Sequence, residues 1–176
     1  MSSHAVRRAW LGLLVAAASA RALAMDFDPS HPPAAIGETL AQVLSRWGET
    51  ASFGADCGSW RGPSVDTQLR WRDEDLHVMA LLRADRVSAL RYERRAGRIE
   101  SFEDCLTFLK SFATDWKASG IETGDAAEPV YDGPVQRSVR PALLKGITGG
   151  RFEADYRASR GECRVALVVI GNAPER

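Results

Sequence analysis

Histidine, cysteine and lysine are all scarce in this chain, and each scarcity closes off some chemistry. The 176 residues include three His and three Cys. A zinc site needs three or four ligands at short spacings. Cys57, Cys105 and Cys163 stand about 50 residues apart, and His31 and His77 are separate from them and from each other. No metal site is therefore expected. There is no Cys-x-x-Cys pair for thioredoxin-type exchange. No Gly-x-Ser-x-Gly elbow, Walker loop or dinucleotide fingerprint appears either. Gly146-Ile-Thr-Gly149-Gly150 lacks the lysine of a phosphate cradle and reads as the bend into the last hairpin. His77 lies inside an apolar strand and reads as satisfied by local hydrogen bonds. The run Asp73-Glu74-Asp75 reads as a solvated turn, not an acid–base pair. We expect no catalytic set and no cofactor.

Long hydrophobic runs are also missing. The longest, from Trp10 to Ala20, is about half of the ~20 apolar residues that a bilayer span needs. It follows Arg7-Arg8 and precedes Ala22-Leu23-Ala24. A basic start, a short apolar stretch and a small-x-small end are the three parts of a secretory signal peptide. Residues 1–24 are read as that signal, leaving 25–176 as one α+β domain. No stable membrane span is expected after cleavage. Lysine supplies only three of the 23 basic residues, Lys110, Lys117 and Lys145. That bias fits a GC-rich coding sequence. Together with the signal it points to the periplasm of a Gram-negative bacterium, or to secretion. Without the signal the net charge is −3, which suits nucleic acid poorly as a partner.

An oxidising compartment makes one disulfide with one thiol left over the default. Cys57 sits in Gly54-Ala-Asp-Cys57-Gly-Ser, which reads as a loop able to meet a partner. We expect Cys57 to pair with Cys105, with Cys163 as the alternative partner.

What is present is periodicity. Ile36, Leu40, Val43, Leu44 and Trp47 lie on one face of a helix predicted over residues 34–47, with Gly48 just past its end. A loop is predicted over 49–64. Strands are predicted at 65–71, 76–82 and 87–94, with turns between them, as an antiparallel meander. Ser101-Phe-Glu-Asp104 has capping-box spacing. After it, Phe102, Cys105, Leu106, Leu109, Phe112, Ala113 and Trp116 recur at helical intervals. A strand near 135–139, a helical turn near 142–145 and a hairpin of 151–159 with 163–170 complete the prediction. The expected fold is an antiparallel meander sheet packed by two main helices. The repeated order leaves open a tandem α-βββ duplication with halves 34–98 and 101–171. In outline this is similar to small secreted modules that bind or inhibit other proteins with tandem helix-plus-meander units.

Charge alternates along the chain, from −4 over 25–69 to +3 over 70–98, −6 over 99–132 and +4 over 133–176. Arg and aromatic residues are enriched at protein interfaces. Arg70, Arg72, Arg91 and Arg94 of the meander, with Trp60 and Trp71 beside them, are the candidate protein-binding residues. The functional expectation is an exported, non-catalytic protein that binds another envelope or secreted protein as an inhibitor, a toxin-immunity protein or an accessory factor. A carrier of a small apolar ligand or lipid is the alternative, and a small periplasmic hydrolase the second alternative. The oligomeric state is left open.

Overall fold

A computed structural model describes residues 26–29, 31–57, 60–125, 130–144 and 147–171. For residues 55–57, 60–61, 130–132 and 147–148 it describes the backbone alone. The predicted signal, residues 1–24, lies outside the described residues. In chain order the elements are α1 (Leu40–Trp47), β1 (Ser52–Cys57), β2 (Trp60–Trp71), β3 (Glu74–Arg83), β4 (Arg86–Gly97), α2 (Phe102–Lys117), β5 (Ile121–Thr123), β6 (Val130–Asp132), β7 (Val135–Leu144), β8 (Ile147–Arg157) and β9 (Glu162–Ile170). All nine described strands join one antiparallel sheet in the order β1-β2-β3-β4-β9-β8-β7-β5, with β6 also pairing with β7. The chain thus builds a helix and four strands, β1–β4, then a helix and five strands, β5–β9, and joins the two runs at β4–β9.

The expected α+β architecture, an antiparallel sheet with two helices, is what the chain adopts. Local chemistry accounts for most of it. Thr39 caps α1 through a reciprocal pair of bonds with Gln42. Ser101 caps α2 by accepting from the Asp104 amide at 3.1 Å. Trp71 and Glu74 close one hairpin around Arg72-Asp73, and Arg83 and Arg86 close the next around Ala84-Asp85. All four central residues have positive φ, as in type I′ turns, whose twist matches that of the flanking strands.

Several segments differ from the prediction, each because pairing partners claim the backbone. Ile121–Thr123 and Val130–Asp132, not predicted as strands, pair with β7, and residues 147–150, predicted as a bend, begin β8. Residues 34–39 do not extend α1. The Gly37 amide donates to Val87 O, and the Val87 amide to Glu38 O, so this segment straps onto β4. The predicted loop at 49–64 instead contains β1, which pairs with the start of β2. The predicted helical turn at 142–145 is the end of β7, where Ala142 pairs with Gly150 and Leu143 with Thr148 across a bulge. Only glycine fits at 150, since a Cβ there would lie 2.0 Å from Val168 O.

Alternation along the strands gives the sheet two distinct faces. The first packs under both helices. Its core includes Val65, Leu69 and Trp71 of β2, Leu76 and Val78 of β3, Tyr92 of β4, Phe152 of β8 and Leu167 of β9. Val43 and Trp47 of α1 and Leu109, Phe112 and Trp116 of α2 complete it. Phe27, ahead of α1, joins an aromatic group in which its ring centroid lies 5.4 Å from Trp71, 5.4 Å from Tyr92 and 5.5 Å from Trp116. The second face carries its own small apolar cluster, Met79, Leu81 and Ala89.

The disulfide corrects the expected pairing. Cys105 bridges Cys163, with Cα atoms 5.5 Å apart, and Cys57 takes no part. The reason is topological. Cys105 lies in the first turns of α2 and faces the sheet where β9 begins. Cys57 ends β1, four strands from β9, or roughly 19 Å at the usual strand spacing.

Candidate functional site

The second face of the sheet carries the most organised polar arrangement. On β4, Arg91, Glu93 and Arg95 alternate outward on this side. On β8, Arg151, Glu153 and Asp155 do the same. Between them β9 presents Ala166 and Val168, with Ala166 opposite both Glu93 and Glu153. These small side chains leave room for the charged ones to meet across β9. Arg91 reaches Glu93 at 3.1 Å through Nε and Glu153 at 2.5 Å through Nη1. Arg95 Nε donates to the other oxygen of Glu93 at 2.8 Å, and Arg151 Nε to the other oxygen of Glu153 at 2.5 Å. The result is an alternating chain, Arg95–Glu93–Arg91–Glu153–Arg151.

Its three inner members are buried, at 4% for Arg91, 3% for Glu93 and 6% for Glu153. Burial raises the pKa of a carboxyl group. Here, Arg91 and a second arginine on each carboxylate outweigh that effect, and both Glu93 and Glu153 titrate below the ordinary carboxylate range. Near neutral pH both carboxylates are therefore ionised. Neither is suited to donate a proton as a general acid.

Beside this chain, His77 Nε2 lies 2.6 Å from Asp66 Oδ2, and Ser52 Oγ donates to Asp66 Oδ1 at 2.8 Å. The carboxylate stands between hydroxyl and imidazole. In a nucleophilic triad the imidazole stands between the other two, so this arrangement cannot activate Ser52. The polar neighbours Thr50, Thr67 and Gln68 line an open cleft of about 490 Å³ with Ser52, Asp66 and His77.

The sequence-predicted residues divide between the two faces because neighbours on a strand point opposite ways. Arg70 is exposed on the second face and donates to Asp73 O at 3.0 Å. Arg91 is on the same face, at the centre of the charged chain. Trp71 and Arg94 lie instead in the interior of the helix-covered face, and both are buried. The Arg94 guanidinium sits 4.8 Å from the Trp71 ring and 5.5 Å from the Phe112 ring. It donates to Trp71 O at 3.0 Å and pairs with Asp115 and Glu74, each at 2.9 Å. Arg72 pairs with the other oxygen of Asp115 at 2.5 Å. These three residues lock α2 onto the β2–β3 hairpin. The side chain of Trp60 lies outside the described residues. The sequence reading did not single out Glu93, Arg95, Arg151, Glu153 or Asp66. A usable signal existed in the charges at alternate positions 91, 93 and 95 and again at 151, 153 and 155.

The space between α2 and the sheet is filled by rings. Trp71 and Trp116 lie 4.7 Å apart, Tyr92 and Trp116 5.0 Å, and Phe112 and Phe152 6.4 Å. Among the described residues no group of His, Cys, Asp and Glu is arranged to hold a metal ion, and no helix is long and apolar enough to cross a membrane. Comparisons with protein-family models, with curated proteins and with solved structures find no match to this chain.

Proposed function

We propose that this chain is an exported, non-catalytic protein that binds another protein through the second face of its sheet. The observation that carries this reading is the Arg95–Glu93–Arg91–Glu153–Arg151 chain. Its side chains hold one another in place before any partner arrives. Pre-ordered side chains lose little conformational freedom on docking. An alternating pattern of fixed charge also selects a complementary surface and penalises others. Exposed Arg95, at one end of the chain, and exposed Arg70 on the same face are suited to direct contact. The expected partner is an envelope or secreted protein, which the chain would restrain as an inhibitor, an immunity protein or an accessory factor. On this reading the residues ahead of Met25 are an export signal, and the two α-plus-strand halves descend from a duplication.

The carrier reading would place an apolar ligand where the aromatic rings of α2 and the sheet already pack. A hydrolase working through paired carboxylates would need one of them protonated, and Glu93 and Glu153 are held ionised. The non-catalytic binding reading is therefore preferred.

The test compares two charge reversals in capture from envelope extract. Arg70→Glu/Arg95→Glu alters the second face, and Lys110→Glu/Lys117→Glu alters the exposed side of α2. The expected outcome is a reproducibly retained protein that the first double variant loses and the second keeps. Equal retention by both variants, or no retained protein, would overturn the proposal.

A further inference from the structure

We propose that the cleft between α2 and β5 binds a small organic carboxylate. This site lies on the helix-covered side of the sheet and is independent of the docking face. Its volume is about 290 Å³, at the small end of ligand sites. Leu109 and Ala113 of α2 and Ile121 of β5 supply apolar wall, and Thr114 and Thr123 supply hydroxyls. Lys110 and Lys117 of α2 and Arg140 of β7 supply positive charge.

The Arg140 side chain is the observation that points to a ligand. It is half-buried, and its Nε is buried without a hydrogen-bond partner. Elsewhere in the fold, sequestered arginines meet carboxylates, although the Arg94 Nε is likewise buried without a hydrogen-bond partner. Arg94 meets Glu74 and Asp115, Arg137 meets Asp155, and Arg164 meets Glu162. Among the described residues Arg140, Lys110 and Lys117 meet no carboxylate. Glu122, on the β5 wall, is exposed and pairs with none of them. A guanidinium at the cleft wall that meets no carboxylate leaves its charge available to a bound anion. Lys117 stands in the last turn of α2, where its charge offsets the negative end of the helix that would otherwise repel an anion. With three cations against one exposed acid, the charge favours an anion. The apolar wall favours one that carries a short hydrocarbon body over a bare inorganic ion.

The probes are hexanoate, hexanol and inorganic phosphate, each titrated into the purified full-length chain and followed by backbone amide NMR shifts. Hexanoate is expected to give saturable shifts confined to residues 109–123 and the strand around Arg140. Lys117→Gln and Arg140→Gln are each expected to weaken it at least fivefold. Hexanol binding as tightly as hexanoate would overturn the proposal, since the cations would then contribute nothing. Phosphate displacing hexanoate at equal concentration would also overturn it, since the hydrocarbon body would then be irrelevant. Shifts located elsewhere, or no saturable shift, would do the same. Should Arg140→Gln fail to fold, the exposed Lys117→Gln decides alone, and unchanged hexanoate affinity in that variant refutes the site. Neither substitution touches the docking face, so failure here leaves the protein-binding proposal standing.

Discussion

Single buried charges on the second face of the sheet hold several partners at once. Arg91 neutralises two buried carboxylates at once. Replacing it with Met leaves Glu93 and Glu153 with only their outer arginines. Breaking a buried charge pair from one side typically costs about 3–5 kcal/mol. Arg91→Met should therefore lower the urea midpoint sharply, whereas Arg83→Met, at an exposed hairpin position, should leave it nearly unchanged. The same carboxylates set a pH dependence. Their folded-state pKa values lie below the ordinary 4.5. Their stabilising contribution is complete above that unfolded value and is lost as pH falls through the lower folded value. Urea midpoints should thus stay level with respect to these groups from pH 7 to about 5 and decline below about 4.5. Glu153→Gln, already uncharged, should make that decline shallower. The alternation that built the charged chain was legible as charge at every second position of two strands. Its convergence was not, because it depends on Ala166 and Val168 of a third strand distant in sequence.

At the scale of elements, the hairpins and the disulfide show where local preference and tertiary demand diverge. Ala84 and Asp85 occupy a turn that suits Asn-Gly far better, with φ of 49° and 58°. A non-glycine residue held in the left-handed region costs roughly 1–2 kcal/mol. Ala84→Asn/Asp85→Gly should therefore raise thermal stability by about 1 kcal/mol, read as an upward shift in melting temperature. The turn positions themselves were legible, because charged and small residues separate apolar runs there. The disulfide was not legible, since three cysteines permit three pairings and only the landing of α2 over β9 selects one. It closes a separation of 58 residues, for which chain-entropy estimates give about 4 kcal/mol. Reduction should lower the melting temperature markedly. Thiol titration of the unreduced, denatured chain should find one reactive group, that of Cys57.

For the whole molecule, the nine described strands join in one sheet with two unlike sides. Both helices lie on one side, and the other carries the charged chain, whose inner members are buried while Arg70 and Arg95 stay exposed. β4 and β9 sit at the middle of the strand order and join the two halves of the chain. If the export reading holds, amino-terminal sequencing of the native polypeptide should begin at Met25 or within a residue or two of it. An intact Met1 would contradict export. So would a chain whose Cys105 and Cys163 are both reduced in its native compartment.

Local sequence by itself determined the place of α2, of the three meander strands and of the last hairpin. Hydrophobic periodicity is a property of neighbouring residues, and Ser101 announces its cap within one turn. It also determined which residues of each strand share a side. Only the tertiary structure decided what each side faces. Trp71 and Arg94 were drawn under α2, Arg91 was set among glutamates from two strands, and residues 34–39 gave up a helix to strap onto β4. In each case the deciding partner is far away in the chain, and the burial energy and hydrogen bonds that it supplies outweigh the local preference.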